Sequence, residues 1–446
     1  MKWVKRLYGI CVYLVLANYI LFITRHPFPL PLVIAGILLF CTAYVLYQIL
    51  PVYRKKLTVR LQALSGGYEL ILVTGICAVA EVVFLIWFGS QRLSNWGEVV
   101  IFLFNILVAV ILGFLMTLNS FLRIIAASTQ ISLLKRLAWL LLWWVPVLNL
   151  WLTFSICHKV RMEYEFELSK IELNEVRREN ELCRTRYPVV LVHGVFFRDW
   201  QFFNYWGRIP KELIRNGCTV YYGKQQSAAS VETSALELKE RVLEIIRKTG
   251  CEKVNLIAHS KGGLDSRYAI SCLGLAPYVA SLTTINTPHQ GCCWVDQVLT
   301  RCPKKLLSFV SAKYNRLFSK LGDASPDFQS AVYDLTHDHC SLINAKAVDC
   351  PGILYQSVMS RMKSPLSDGI PCNIGYLLVK HCEGVNDGLV CAGSAIWGKF
   401  LGYLETPGRR GISHGDMIDL RRENIKDFDV REFYVKLVKE LKEQGF

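Results

Sequence analysis

The sequence predicts two parts in one chain: an all-α transmembrane bundle, then a doubly wound α/β domain on a mostly parallel sheet. Three observations predict it. Apolar runs of bilayer length recur through the first third. From Tyr187 onward, short apolar runs alternate with stretches of helical spacing, as in successive β-α units. Charge is also partitioned: residues 1–157 hold three acids (Glu69, Glu81, Glu98) against twelve Lys and Arg, and the remainder holds 33 acids against 39. With 52% hydrophobic and 20% charged residues over 446 positions, a disordered chain is excluded.

The anchor, residues 1–157, carries five expected spans, near 7–23, 30–50, 68–88, 98–122 and 137–157. Each is close to the roughly 20 apolar residues that a bilayer requires. The first follows Lys2, Lys5 and Arg6 as a signal peptide would, but no small-residue cleavage site comes after it, so it reads as an uncleaved helix. Trp87, Trp96, Trp143, Trp144 and Trp151 lie mostly near span ends, where an aromatic belt forms. The N-terminal tail and the second and fourth loops hold ten Lys and Arg, among them Arg54, Lys55 and Lys56. The opposite side holds five. The positive-inside rule then makes the N-terminus cytoplasmic, and five spans put the α/β domain outside the cell membrane. Glu81 is the acid in the interior of a span. One such carboxyl, with no Lys or Arg partner in the spans, does not make a transporter.

Residues 158–182 mix seven Glu with five Lys and Arg and read as a charged helical linker with a solvated face. Of sixteen cysteines, four lie in the spans and twelve beyond them, with no CxxC pair. Small buried side chains and disulfides account for the twelve equally well.

The α/β domain, residues 183–446, opens with Tyr187 to Val192, an apolar run that suits a strand buried on both faces. A helix near 205–216, a strand at 218–222 and a helix over 231–248 follow. A strand at 254–257, a helix over 262–273 and a strand at 279–285 complete the readable series. The strand at 254–257 runs into Ala258-His259-Ser260-Lys261-Gly262-Gly263, a serine flanked by small residues two places either side. That is the nucleophile elbow of an α/β-hydrolase. The serine sits on a sharp strand-to-helix turn that lifts its Oγ clear of the sheet, and bulk at either flank would collide. The helix N-terminus beside it favours developing negative charge. In this fold the acid and then the histidine follow the serine along the chain. His414 is the one histidine after residue 381, and Asp387, in a Gly-bounded polar turn, is the best acid, with Glu383 second. His193 is expected to bond backbone, His259 to face away from the site, and His289, His337, His339 and His381 to be structural.

These motifs, together with Pro188-Val-Val-Leu-Val-His-Gly-Val195, Tyr205-Trp206, Ser266-Arg267-Tyr268, Thr283 to Gly291, Asn386-Asp-Gly-Leu-Val390 and His414-Gly-Asp416, resemble the secreted triacylglycerol lipases of the Pseudomonas/Burkholderia type. The resemblance covers about 187–446 and is densest over 188–291. It implies a triad of Ser260, Asp387 and His414, and an oxyanion hole made by the backbone N–H groups of Val195 and Lys261. Ala258 stands where that family has Gly, and Lys261 where it has Gln, which adds a charge near the hole. The family binds a structural calcium beside the catalytic histidine. Asp416 matches one ligand position and Asp368 is a looser second, so a structural calcium is the one cofactor to test and none is required for the chemistry. Residues 292–330 lie where the family has its lid. Lys and Arg there interleave with Leu, Phe and Val, which fits either a lid that opens on anionic lipid or a packed helix with a basic outer face. The expectation is a membrane-held serine hydrolase for lipid esters, with no nucleic-acid partner. An acyltransferase and a non-catalytic membrane sensor or scaffold are the competing readings.

Overall fold

The computed structural model describes residues 2–26, 28–52, 57–92, 95–142, 144–195, 204–320 and 323–446. The loop charges Arg54, Lys55 and Lys56, the belt residue Trp143, and residues 321–322 of the expected lid lie outside these. The chain divides into two compact units, Met1–Glu172 and Leu173–Phe446.

The first unit is wholly helical among the described residues: α1 (Lys2–Ala17), α2 (Tyr19–Arg25), α3 (Leu30–Ile49), α4 (Val59–Arg92), α5 (Trp96–Ala127), α6 (Leu133–Leu141) and α7 (Pro146–Val176), whose end enters the second unit. Among the described residues, three helices are long and apolar enough to cross a membrane, Leu30–Ile49, Val59–Gly89 and Trp96–Ala127. The pair α1 and α2, bent by 54°, makes a fourth if it is one span. The segment expected as a fifth span is divided between α6 and α7. Apolar side chains such as Val79, Ile86, Leu103 and Phe114 point outward, as they would toward lipid. Polar groups turn inward and find partners. Asn18 Nδ2 donates to Glu81 at 2.8 Å and to the Leu14 carbonyl, and Arg6 clasps Glu69 through two bonds of 2.6 and 2.9 Å. The expected linker continues α7 as a helix to Val176, but its charged face is not wholly solvated. Glu163 is buried and accepts from Arg60 at 2.7 Å and from Ser128 Oγ at 2.7 Å.

The second unit runs β1 (Val189–Val192), α8 (Ile209–Arg215), β2 (Val220–Tyr222), α9 (Val231–Thr249), β3 (Val254–His259), α10 (Gly262–Cys272) and β4 (Val279–Ile285). It continues with α11 (Cys293–Arg301), α12 (Lys304–Lys320), α13 (Phe328–Tyr333), α14 (His337–Lys346), β5 (Leu354–Ser360), α15 (Cys372–Glu383), β6 (Lys399–Leu404) and α16 (Val430–Glu443). Among the described residues, six strands form one sheet in the order β2-β1-β3-β4-β5-β6, every pair parallel. β1, β3 and β4 are buried throughout, because helices cover both faces and alternate side chains therefore all meet a core. Val189, Leu191 and Ile257 pack on one side with Trp206, Tyr434 and Val438. Val190, Val192 and Leu256 pack on the other with Val242, Ile245 and Ala269. α9 starts on Ser230, whose Oγ accepts the Thr233 N–H, and ends on Gly250 at φ +70°, a left-handed cap that glycine adopts freely.

Candidate active site

The carboxyl ends of β1, β3 and β4 converge on Ser260. Its φ is +54°, a region that a residue with a side chain enters only when the surroundings force it. The force comes from both sides: the Ser260 N–H continues the sheet ladder to the Ile285 carbonyl at 2.9 Å, while α10 begins two residues on. The glycines around the elbow are steric necessities. A Cβ at Gly194 would stand 2.7 Å from the Ser260 Cβ, one at Gly262 would strike the His193 carbonyl, and one at Gly263 would strike Thr287. Among the described residues, neither the Val195 nor the Lys261 N–H donates a hydrogen bond, which leaves two backbone donors beside the serine.

His414 and Asp387 meet. His414 Nδ1 lies 2.7 Å from Asp387 Oδ2, and the His414 backbone N–H donates to the Asp387 carbonyl at 2.8 Å. The other carboxylate oxygen, Oδ1, accepts the N–H groups of Leu389 at 2.9 Å and Val390 at 2.8 Å, so the acid is fixed in its turn. Glu383 is directed elsewhere, accepting the Cys293 N–H at the start of α11. Among the described residues, Ser260 Oγ makes no hydrogen bond to His414. Such contacts are commonly long without substrate.

His259 departs from expectation. Its ring does not face away but lies 4.4 Å, centroid to centroid, from that of His414. The reason is Tyr205, whose hydroxyl accepts the Gly194 N–H at 3.0 Å and so has its own hydrogen for His259 Nδ1 at 2.8 Å. Burial, and His414 beside it, push His259 well below the usual histidine range and keep it neutral. His193 bonds backbone as expected, its ring nitrogens 2.9 Å from the carbonyls of Gly194 and Gln225.

The Lys261 side chain leaves the hole. It is buried, with Nζ 2.6 Å from Asp265 and 3.1 Å from Ser234 Oγ, so its charge is met by an acid in the first turn of α10. Asp368 and Asp416 come together across Ser413, whose Oγ donates to Asp368 Oδ2 at 2.6 Å and accepts the Asp416 N–H at 3.1 Å. Arg410 and Arg421 flank them. Among the described residues, no group of three or more His, Cys, Asp and Glu could hold a metal ion. All sixteen cysteines are free thiols.

Residues 188–368 match the family described as "Putative serine esterase (DUF676)". Triacylglycerol lipase 2 of Saccharomyces cerevisiae is 29% identical over 261 residues, covering 54% of this chain and 74% of its own length. A triacylglycerol lipase of Burkholderia plantarii is 40% identical over 151 residues, 32% of this chain, which spans 41% of that protein. The crystal structure of Staphylococcus hyicus lipase overlays with a TM-score of 0.46 at 18% identity, covering 58% of this chain and 97% of that one. The second unit is a lipase-like α/β-hydrolase domain. By class it is a carboxylic ester hydrolase of the serine esterase type.

Proposed function

We propose that the protein is a membrane-anchored serine hydrolase that cleaves carboxylic esters of lipids through Ser260, His414 and Asp387 and an acyl-enzyme. One observation carries this reading: a serine held at φ +54° on an elbow, in the same unit as a histidine whose Nδ1 is 2.7 Å from a carboxylate fixed by two backbone N–H groups. Ser260 Oγ attacks the ester carbonyl as its proton passes to His414 Nε2. Asp387 holds the imidazole with Nδ1 protonated and stabilises the imidazolium. The Val195 and Lys261 N–H groups receive the oxyanion, each contributing about 3–4 kcal/mol at comparable sites. The C–O bond then breaks, and the alcohol leaves with the proton from His414. Water, deprotonated by the same histidine, releases the acid and restores Ser260.

A lipid substrate is supported by the relatives, which are triacylglycerol lipases, and by three helices suited to a membrane. In the lid region, α12 exposes Leu306, Phe309, Val310 and Leu317 among Lys305, Lys313 and Arg316, a surface that suits anionic lipid. The loop charges favour a cytoplasmic N-terminus with the catalytic unit outside. The test is the full chain in detergent with a fluorophosphonate probe and a panel of acyl esters. Wild type should label and hydrolyse, and Ser260→Ala should do neither while melting at the same temperature. Hydrolysis by Ser260→Ala within about tenfold of wild type would remove Ser260 from the mechanism.

A further inference from the structure

The family resemblance implies a calcium at Asp368 and Asp416, and the residues there do not fit one. Calcium takes about six to eight oxygen ligands. All four carboxylate oxygens already face hydrogen donors. Asp416 Oδ1 accepts from Arg410 Nη2 at 3.1 Å and Oδ2 from the Ser413 N–H at 2.8 Å. Asp368 Oδ2 accepts from Ser413 Oγ at 2.6 Å. Its Oδ1 meets the Gly369 N–H at 2.7 Å and Arg421 Nε at 3.1 Å. Two guanidinium ions thus stand where the cation would supply charge, and both carboxylates are almost wholly buried beneath them.

The guanidiniums also do what a bound cation does mechanically. Arg410 Nε donates to the Ser367 carbonyl at 2.9 Å and Arg421 Nη2 to the Ile370 carbonyl at 3.0 Å, so each ties the 364–370 segment to the loop that carries His414. Ser413, immediately before His414, is bonded to both carboxylates through its N–H and its hydroxyl. Arg410 reaches Glu423 as well, at 3.0 Å, which fixes its fork from a third side. A planar fork with five donors holds such an array in a way that a point charge cannot.

We propose that Arg410 and Arg421 take the place of a divalent cation at the base of the His414 loop, so that they position His414 and hydrolysis runs without calcium. The inference rests on His414 being the base of the proposed triad. Arg410 and Arg421 are positioning residues, acting through Asp416, Asp368 and Ser413.

The test uses the full chain in detergent with p-nitrophenyl butyrate, a soluble ester, assayed in excess EGTA and in excess calcium chloride. Wild type should give the same kcat in both. Arg410→Ala should lower kcat by roughly ten- to a hundredfold, as a misplaced catalytic group does, with KM little changed and the circular dichroism retained. Free guanidinium ion at a non-denaturing concentration should restore part of that kcat, which it would not do for a variant that is merely less stable. Arg410→Lys, which keeps the charge and loses the fork, should fall between. Loss of wild-type kcat in EGTA with recovery on calcium overturns the proposal, whatever the variants do. So does an Arg410→Ala enzyme with wild-type kcat in EGTA. If wild type neither hydrolyses the ester nor labels with fluorophosphonate under either condition, the esterase reading falls and takes this one with it. That outcome is distinct from an active but calcium-dependent enzyme.

Discussion

Asp387→Asn is the sharpest probe of the proposed triad, because the geometry sets the size of its effect. Oδ1 of Asp387 is committed to two backbone N–H groups, of Leu389 and Val390. An asparagine there keeps those bonds only by placing its carbonyl oxygen on them, which turns its NH2 toward His414 Nδ1, 2.7 Å away in the native pair. Two donors cannot face each other at that distance. The imidazole must therefore offer Nδ1 as an acceptor and carry its proton on Nε2, the atom that has to take the proton of Ser260. The same tautomer error in a serine protease costs about 10,000-fold in kcat, or about 5.4 kcal/mol of barrier at 1.36 kcal/mol per decade. Stability should barely move, since the amide is isosteric and the loop bonds survive. Steady-state kcat on p-nitrophenyl butyrate, fluorophosphonate labelling rate and Tm report the three quantities. Glu383→Gln is the control, because Glu383 bonds the start of α11 and not the histidine. An Asp387→Asn enzyme within about tenfold of wild type, below the usual worth of general-base catalysis, would refute the assignment. Greater damage from Glu383→Gln would move the role to that residue.

Gly194→Ala should lower kcat by about 100- to 1000-fold, the worth of one oxyanion donor. Its Cβ would press on the Ser260 Cβ at 2.7 Å and the His259 carbonyl at 3.1 Å, and a variant with unaltered kcat and Tm would show that the turn has slack. Trp206→Ala should cost about 3–5 kcal/mol, because the indole is fully buried between Tyr205, His259 and Tyr434; thermal melting checks it. Acid should destabilise the second unit through His289. Burial, with Arg267 beside it, holds this group well below 6.5, so below that pH the unfolded chain binds a proton that the folded one refuses. Stability then falls with pH by up to about 1.4 kcal/mol per unit for this group, and His259 adds a like share. His289→Gln should flatten the decline of Tm below neutrality, and an unchanged slope would place the acid lability elsewhere.

The sheet was readable because β1, β3 and β4 are buried on both faces, and a run such as Val189 to Val192 has no polar alternation to mislead. The elbow is legible because its small residues lie within three positions of Ser260 along the chain, although the groups they make room for, the His193 carbonyl and Thr287, come from other turns. Asp387 and His414 are 27 residues apart and came from their order along the chain. The direction of His259 is not legible in the sequence because it depends on Tyr205, fifty-four residues earlier. No spacing rule links a tyrosine in one turn to the ring it orients in another. The Arg410 and Arg421 contacts were hidden for the same reason. An arginine near an aspartate in sequence is common, and only the fold decides that both oxygens of Asp416 and both of Asp368 are taken.

The side of the membrane on which the catalytic unit stands turns on α6 and α7. Counting the bent pair as one, four spans among the described residues qualify by length and composition, and an even count would leave both chain ends on one side. The fifth crossing has to come from α7, against which α6 packs. At 1.5 Å per residue, the nine residues of α6 rise about 14 Å and residues 146–157 about 18 Å. Neither reaches the roughly 30 Å of a hydrocarbon core alone, and α6 folds back along α7, with Lys135 Nζ 2.9 Å from Ser155 Oγ and Trp139 Nε1 2.9 Å from Thr153 Oγ1, so a crossing has to run on into the charged part of α7. Val147, Leu150, Trp151 and Phe154 are all exposed, an apolar row at helical spacing that suits lipid and does not suit water. The loop charges favour the same odd count. A topology reporter fused after Phe446 should therefore read outside while an N-terminal tag reads cytoplasmic. If both ends read cytoplasmic, α6 and the start of α7 lie in the interface, the catalytic unit faces the cytoplasm, and its lipid esters come from the inner leaflet.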